Sequence, residues 1–422
     1  MDKLVIEGGR KLHGEIKVSG AKNAVLPILA ATLLTDETCT IRNFPRLRDT
    51  VTMIKLLRTL GKDVQVEGDK LVITSRANGE PKYIADYKLV STMRGSFCVL
   101  GPLLSKLKIA KVSLPGGCII GVRPVDLHLK GIKALGAKIE VENGYVIARA
   151  KQLKGANMYL GGVFGSSVLA TANVMMAATL AHGDTVIESA ACEPEIEDLA
   201  DFLICMGAKI KGQGSPRMTI SGVKKLHGVD YRVIPDRIEA GTYILMAAAT
   251  KSNIVIKDVR LGHLSALIDK LTEAGVKVKQ EGNNIRVLPA KKLRPVSITT
   301  HPFPGFPTDL QAQFMTLMAM TPGVSIISDK IYPDRFIHIA ELNRMGANIR
   351  REGINAIVEG VRELRGAPVM ASDLRASAAL LIAGLAAKGK TEIYRIYHLE
   401  RGYEDIDGKL AQLGAKVWRE KE

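Results

Sequence analysis

Residues 135–148 read LGAKIEVENGYVIA. A leucine and a glycine lead through a lysine into two short alternating segments, with Asn143-Gly144 between them. Asn-Gly in that setting signals a tight β-hairpin. The glycine ahead of the hairpin is the residue expected just past a helix end, where positive φ is needed. The opening phrase returns as LGKDV, MGAKI, AGVKV, MGANI and LGAKV. Its glycines are Gly61, Gly136, Gly207, Gly275, Gly346 and Gly414, separated by 75, 71, 68, 71 and 68 residues. Six units of this length account for the whole chain of 422 residues.

Each unit reads alike. A short segment such as GEIKVSG or DYRVIP precedes an apolar helix such as SSVLATANVMMAATLAHG. A strand (DTVIESA) follows, then a more polar amphipathic helix (EPEIEDLADFLICMG), then the hairpin. The order is strand, helix, strand, helix, strand, strand. The sixth unit stops at AKVWREKE, one strand short, while the N-terminal KLVIEG (residues 3–8) belongs to no unit. The N-terminus is therefore expected to cross over and complete the last unit. This predicts an α/β protein of two three-unit domains. One spans residues 22–234; the other joins residues 1–21 to 235–422. The two chain crossings form a natural hinge. A solenoid of six stacked units is disfavoured, because polar capping repeats are missing.

The formal charge of +16 calls for an anionic partner. The basic residues are spread along the chain, with no basic arm, zinc-finger spacing or aromatic-interleaved stripe, so small phosphorylated or carboxylated ligands fit better than nucleic acid. Cys39, Cys98, Cys118, Cys192 and Cys205 are odd in number and irregular in spacing, which disfavours a disulfide framework or structural zinc. The start, MDKLVIEGGR, has no secretory pattern. The apolar run AVLPILAATLL (residues 24–34) contains Pro27 and is too short to span a bilayer, so it reads as a buried helix. A cytoplasmic location without membrane insertion is expected, and a monomer. GQGSPR and GGVFGSS match no nucleotide-binding glycine motif, and neither metal nor redox cofactor is expected.

Charge recurs at helix starts: Lys22, Arg94, Arg237 and Arg375 before apolar helices, and Arg48, Arg123, Arg335 and Arg401 before polar ones. Cations there oppose the helix dipole, so an anion is expected to compensate, either a ligand or a neighbouring acid. The adjacent acids are Asp236, Asp334 and Asp373. Asp309, in FPTDLQAQF, is either a helix N-cap or a general base. Cys118 sits on a glycine turn, SLPGGCIIGVRP, where Arg123, five residues on, would favour the thiolate over a buried thiol.

These motifs together resemble the enolpyruvyl transferases over nearly the full length. The similarity is carried by SGAKNAVLPILAA, SLPGGCIIGVRPVDLHL, EPEIEDLADFL, PDRIEAGT, FPTDLQAQF, DRFIHIAELNRMGA, SDLRASAALLIAGLAA and RIYHLERGYEDI. The resemblance implies two inside-out α/β barrels, each of three βαβαββ repeats. It implies transfer of the enolpyruvyl group of phosphoenolpyruvate to the 3′-hydroxyl of UDP-N-acetylglucosamine, with release of phosphate, as the first committed step of peptidoglycan precursor synthesis. By the same resemblance, Lys22, Arg123 and Arg401 hold phosphoenolpyruvate with Arg94 and Arg375 nearby, and Asn23 contacts the sugar. Asp309 accepts the hydroxyl proton, Arg335 and Asp373 shape the same site, and Cys118 is a mobile-loop thiol that protonates C3. Ser167 and Val168 align with the family's diphosphate loop. Leu169 stands where that loop has glycine, after a longer GGVFGSS segment. A shikimate-using transferase and a non-catalytic paralogue remain alternatives. The PGGC loop and PTDLQAQF favour the UDP-N-acetylglucosamine branch over the shikimate one; the joint presence of Lys22, Cys118, Asp309 and Arg401 argues against the paralogue.

Overall fold

The structure, a computed structural model, describes residues 2–76, 82–116 and 124–421. They fall into two compact units, one of residues 2–19 and 235–421 and the other of residues 20–116 and 124–234. Each unit carries three four-stranded sheets of one topology. In each sheet a strand pairs parallel with the strand that follows an apolar helix, and that strand pairs antiparallel with the hairpin. Asn157–Tyr159, Asp184–Glu188, Arg217–Ser221 and Lys209–Lys211 lie in this order in one of them. All six repeat glycines adopt positive φ, between 83° and 99°. Asn143 and Gly144 do so as well, as a tight turn between Lys138–Glu142 and Tyr145–Arg149 requires.

The sixth sheet is completed by the chain start. Asp2–Glu7 lies between Lys390–Tyr394 and Lys416–Lys421, antiparallel to both, in the place a final hairpin strand would take. His13–Lys17 precedes the first apolar helix, yet pairs with Asn253–Lys257 of the fourth repeat, while Asp230–Arg232 pairs with Cys39–Arg42 of the first. The two lead strands are exchanged between repeats one and four. Their parallel pairing spans about half the chain, so nothing local in the sequence announces it.

The apolar helices sit inside each unit and the sheets outside, the inside-out α/β barrel arrangement. Lys22–Ala31, Val168–Ala178 and Leu374–Ala386 are buried almost all round, as helices without a polar face must be. In the first unit Arg237–Ala249, Gln311–Ala319 and Leu374–Ala386 pack pairwise on one another. The second helix of each repeat buries only one side. Arg48–Thr59 buries Met53, Ile54, Leu56 and Leu57 and exposes Val51, Lys55 and Arg58. No helix among the described residues is long and apolar enough to cross a membrane.

One buried polar joint in the other unit predicts acid behaviour. Gly101, on Leu100–Leu107, has no room for a Cβ, which would come 2.2 Å from the Asn173 carbonyl oxygen. Its N–H donates to Asn173 Oδ1 at 2.6 Å. The Asn173 amide nitrogen must then face His128 Nδ1, 3.0 Å away, so Nδ1 accepts and the imidazole is neutral. Burial, with Arg94 nearby, pushes the His128 pKa down to about 3. The unfolded chain therefore takes up a proton below about pH 6.5 that the folded chain refuses. Stability present above pH 6.5 is lost as pH falls towards 3, on the order of 1 kcal/mol per pH unit. Denaturant midpoints measured from pH 7 to 4 should show this decline, and His128→Gln should make it shallower. An equal slope in the variant would remove His128 from the account.

Candidate active site

Asp309 lies on the short turn Thr308–Leu310 that leads into Gln311–Ala319. Its side chain caps no helix, so the N-cap alternative fails. Its two oxygens instead take two arginines. Arg335 Nη1 donates to Oδ1 at 2.7 Å and Arg375 Nη2 donates to Oδ2 at 2.9 Å. The arginine side chains are only 6% and 2% exposed, whereas 24% of the Asp309 side chain is open to solvent. Burial alone would raise this carboxyl, but Arg375 and Arg335 outweigh it and hold it well below the usual carboxylate range. Asp309 is thus an accessible, firmly ionised carboxylate on a buried cationic seat.

The seat is built from separate elements. Asp329, fully buried, accepts from Thr300 Oγ1, Ile331 N and Tyr332 N through Oδ1, and from Thr308 Oγ1 through Oδ2. Arg335 Nη1 also donates to Thr308 Oγ1 at 3.2 Å, so Asp329 ties the segment bearing Arg335 to the turn bearing Asp309. Asp373 caps Leu374–Ala386, accepting from the backbone of Arg375 and Ala376. Arg401 ends the turn Ile396–Arg401. Burial, then Arg401, lower the pKa of His398, which Asp373 raises, so the three groups are electrostatic neighbours. His338 is buried, with Asp373 and Arg335 about it, and burial pushes its pKa down to about 4. At Arg335 and Arg375 the neighbouring-acid alternative does not hold. Asp236 caps its own helix, Asp334 pairs with Arg351, and the charges of Arg335 and Arg375 go to Asp309. Helix geometry turns i and i+1 side chains apart, while tertiary packing sets the ion pairs.

The other unit holds the remaining candidates. Lys22 opens its apolar helix, and its ammonium pairs with Asp49 Oδ2 at 2.7 Å; both groups are buried. Here the compensating acid exists, supplied by the first turn of Arg48–Thr59. Asn23 follows Lys22 on the helix and is half-buried. Arg94 donates to the carbonyl of Pro124 at 3.0 Å. Ser167 caps Val168–Ala178, and Val168 is its first residue. Leu169 packs against the core, and the GGVFGSS segment forms the hairpin Gly161–Gly162 with Gly165–Ser166. Cys118 and Arg123 lie outside the described residues. Sequence reasoning missed Tyr403, Gln313 and His338, although all three lie inside quoted motifs. For Gln313 and His338 the usable signal was a polar residue within an apolar or short helix; Tyr403 lies between helices and gave none.

A family model described as EPSP synthase (3-phosphoshikimate 1-carboxyvinyltransferase) matches residues 6–410, and the chain belongs to this family of enolpyruvyl transferases. Its similarity is more particular than that. The UDP-N-acetylglucosamine 1-carboxyvinyltransferase of Geotalea daltonii is 53% identical over 422 residues, covering 100% of both chains. Among solved structures, the enolpyruvyl transferase NikO from Streptomyces tendae aligns over 99% of this chain and 98% of its own, with a TM-score of 0.89 and 25% identity. EPSP synthase from Acinetobacter baumannii covers 100% of both chains with a TM-score of 0.77 at 17% identity, a likeness of fold alone.

Proposed function

We propose that the chain is a UDP-N-acetylglucosamine 1-carboxyvinyltransferase, acting in the cytoplasm at the first committed step of peptidoglycan precursor synthesis. The observation that carries this is the full-length relative of that name at 53% identity. The shikimate alternative is weaker, because the solved shikimate-type enzyme shares the fold at 17% identity.

In this reading the 3′-hydroxyl of UDP-N-acetylglucosamine attacks C2 of phosphoenolpyruvate while C3 gains a proton, giving a tetrahedral ketal. Loss of a C3 proton and of phosphate then yields the enolpyruvyl ether. Asp309 takes the hydroxyl proton. Its low basicity makes that transfer unfavourable from a free alcohol, so the proton moves late, once the forming C–O bond has acidified the hydroxyl. Arg335 and Arg375 are committed to Asp309 and act by aiming it. Lys22, Arg123 and Arg401 hold the phosphate and carboxylate of phosphoenolpyruvate, assisted by Arg94. An incoming phosphate draws Lys22 from Asp49, a trade of one anion for another. Asn23 faces the sugar, and Ser167 and Val168 offer the diphosphate a helix N-terminus. Asp373 orients the Arg375 end of its helix, and Cys118 delivers the C3 proton.

The ketal has a measurable signature. Run in deuterium oxide, addition gives C3 a methyl group carrying one deuteron, and elimination can remove a proton instead. Mass spectrometry of the product should therefore find deuterium in the enolpyruvyl methylene. Product free of deuterium would exclude a methyl intermediate exchanging with solvent.

A further inference from the structure

We propose that Tyr403 is a positioning residue for Asp309, acting through Arg375. Three inner helices send one polar side chain each to a single buried point: Thr242 from Arg237–Ala249, Gln313 from Gln311–Ala319 and Arg375 from Leu374–Ala386. The hydroxyl of Tyr403, itself 2% exposed, stands at that point. It lies 2.8 Å from Thr242 Oγ1, 3.2 Å from Arg375 Nη1 and 3.4 Å from Gln313 Nε2.

The proton directions follow from the neighbours. Thr242 Oγ1 donates its one proton to the Ile238 carbonyl at 2.8 Å. Tyr403 must therefore donate to Thr242. The lone pairs of the tyrosine oxygen are left to accept from Arg375 Nη1 and Gln313 Nε2. Gln313 Nε2 is in turn held by the Asp309 carbonyl at 2.9 Å. Arg375 is consequently gripped at both ends of its fork, one nitrogen by Tyr403 and the other by Asp309. The guanidinium also lies over the tyrosine ring, 5.6 Å from its centroid. In a buried, dry setting a guanidinium with one end free turns to find a partner, so the tyrosine oxygen decides which way Arg375 faces. Burial keeps the phenol neutral, and therefore able to donate to Thr242.

The charged groups around this point are Arg335 and Arg375 on Asp309, Asp373 facing Arg335, and Asp236 facing both Arg375 and Tyr403. Each arginine on Asp309 also meets one hydroxyl, Thr308 for Arg335 and Tyr403 for Arg375, and the grip of Tyr403 is the one that fixes the far end of the fork. Tyr403→Phe keeps the ring and removes that grip. With Arg375 free to turn, Asp309 loses part of one charge-assisted bond and becomes easier to protonate.

The rate arm of the test rests on the carboxyvinyltransferase reading; the structural arm does not. Tyr403→Phe should lower kcat about tenfold, leave KM for both substrates within about twofold, and move the acid limb of the pH–rate profile upward. Its crystal structure should show Arg375 turned from the Asp309 oxygen it holds here at 2.9 Å. An unchanged acid limb, or an intact Arg375–Asp309 contact in the variant, overturns the proposal. If the unaltered protein is inactive on these substrates, the functional reading fails and the crystal structure still decides. Should Tyr403→Phe not fold, Thr242→Val removes the acceptor of the tyrosine proton and Thr242→Ser keeps it. The valine variant should show the same changes in weaker form and the serine variant none; identical behaviour of the two counts against Tyr403.

Discussion

Asp309→Asn should lose about 10²–10⁴-fold in turnover while still binding UDP-N-acetylglucosamine. The amide cannot take the hydroxyl proton, which is the larger part of the effect. A second part comes from the seat. Asparagine keeps one oxygen for Arg335 or Arg375, but turns an N–H donor towards the other guanidinium, which is itself a donor. Both buried arginines then lose the carboxylate charge and one of them loses its acceptor, at a cost of about 1–3 kcal/mol or more. The variant should therefore unfold at lower denaturant as well as turn over slowly. A helix cap would behave differently, since asparagine caps as well as aspartate. Near-normal turnover would make Asp309 a structural anchor only and move the base role to Asp373.

Cys118 should react first among the five cysteines with a small epoxide bearing a phosphonate, which mimics phosphoenolpyruvate. The other thiols make poor competitors. Cys39 and Cys98 are buried, and burial raises both, Cys98 to about 12, so neither forms thiolate near neutral pH. Cys192 is raised by burial and by Glu193. Cys205 is the exposed thiol that would catch an unselective reagent. Its slow, substrate-independent labelling is the baseline, and UDP-N-acetylglucosamine should quicken labelling at Cys118 alone. Cys118→Ser should lose both labelling and most activity. Cys118→Asp should resist the epoxide and keep activity, because a carboxylic acid also delivers a proton. Peptide mapping that spreads modification evenly over Cys118, Cys192 and Cys205 would sink the claim.

The periodic features were legible in the sequence because each rests on local chemistry. A glycine past a helix end, Asn143-Gly144 between alternating segments, and an apolar helix without a polar face each determine their own geometry. The spare N-terminal segment and the short sixth repeat pointed to each other by count, and Asp2–Glu7 pairs where that count leaves a gap. What stayed hidden depends on distance along the chain. The exchanged strands His13–Lys17 and Asp230–Arg232 look like any other lead strand. The partners of Asp309 stand 26 and 66 residues away, while the nearby acids, which look like natural mates for Arg335 and Arg375, are taken up by caps and by Arg351. Tyr403 escaped notice because a tyrosine in a motif reads as core until its hydroxyl is seen among three helices.

The central claim is the reaction itself, and the release of inorganic phosphate measures it most directly. With phosphoenolpyruvate and UDP-N-acetylglucosamine together, phosphate should appear in step with an enolpyruvyl ether of the sugar nucleotide. Phosphoenolpyruvate alone, or with shikimate 3-phosphate, should release none. Phosphate release with shikimate 3-phosphate and not with UDP-N-acetylglucosamine, or no release with either, would contradict the account.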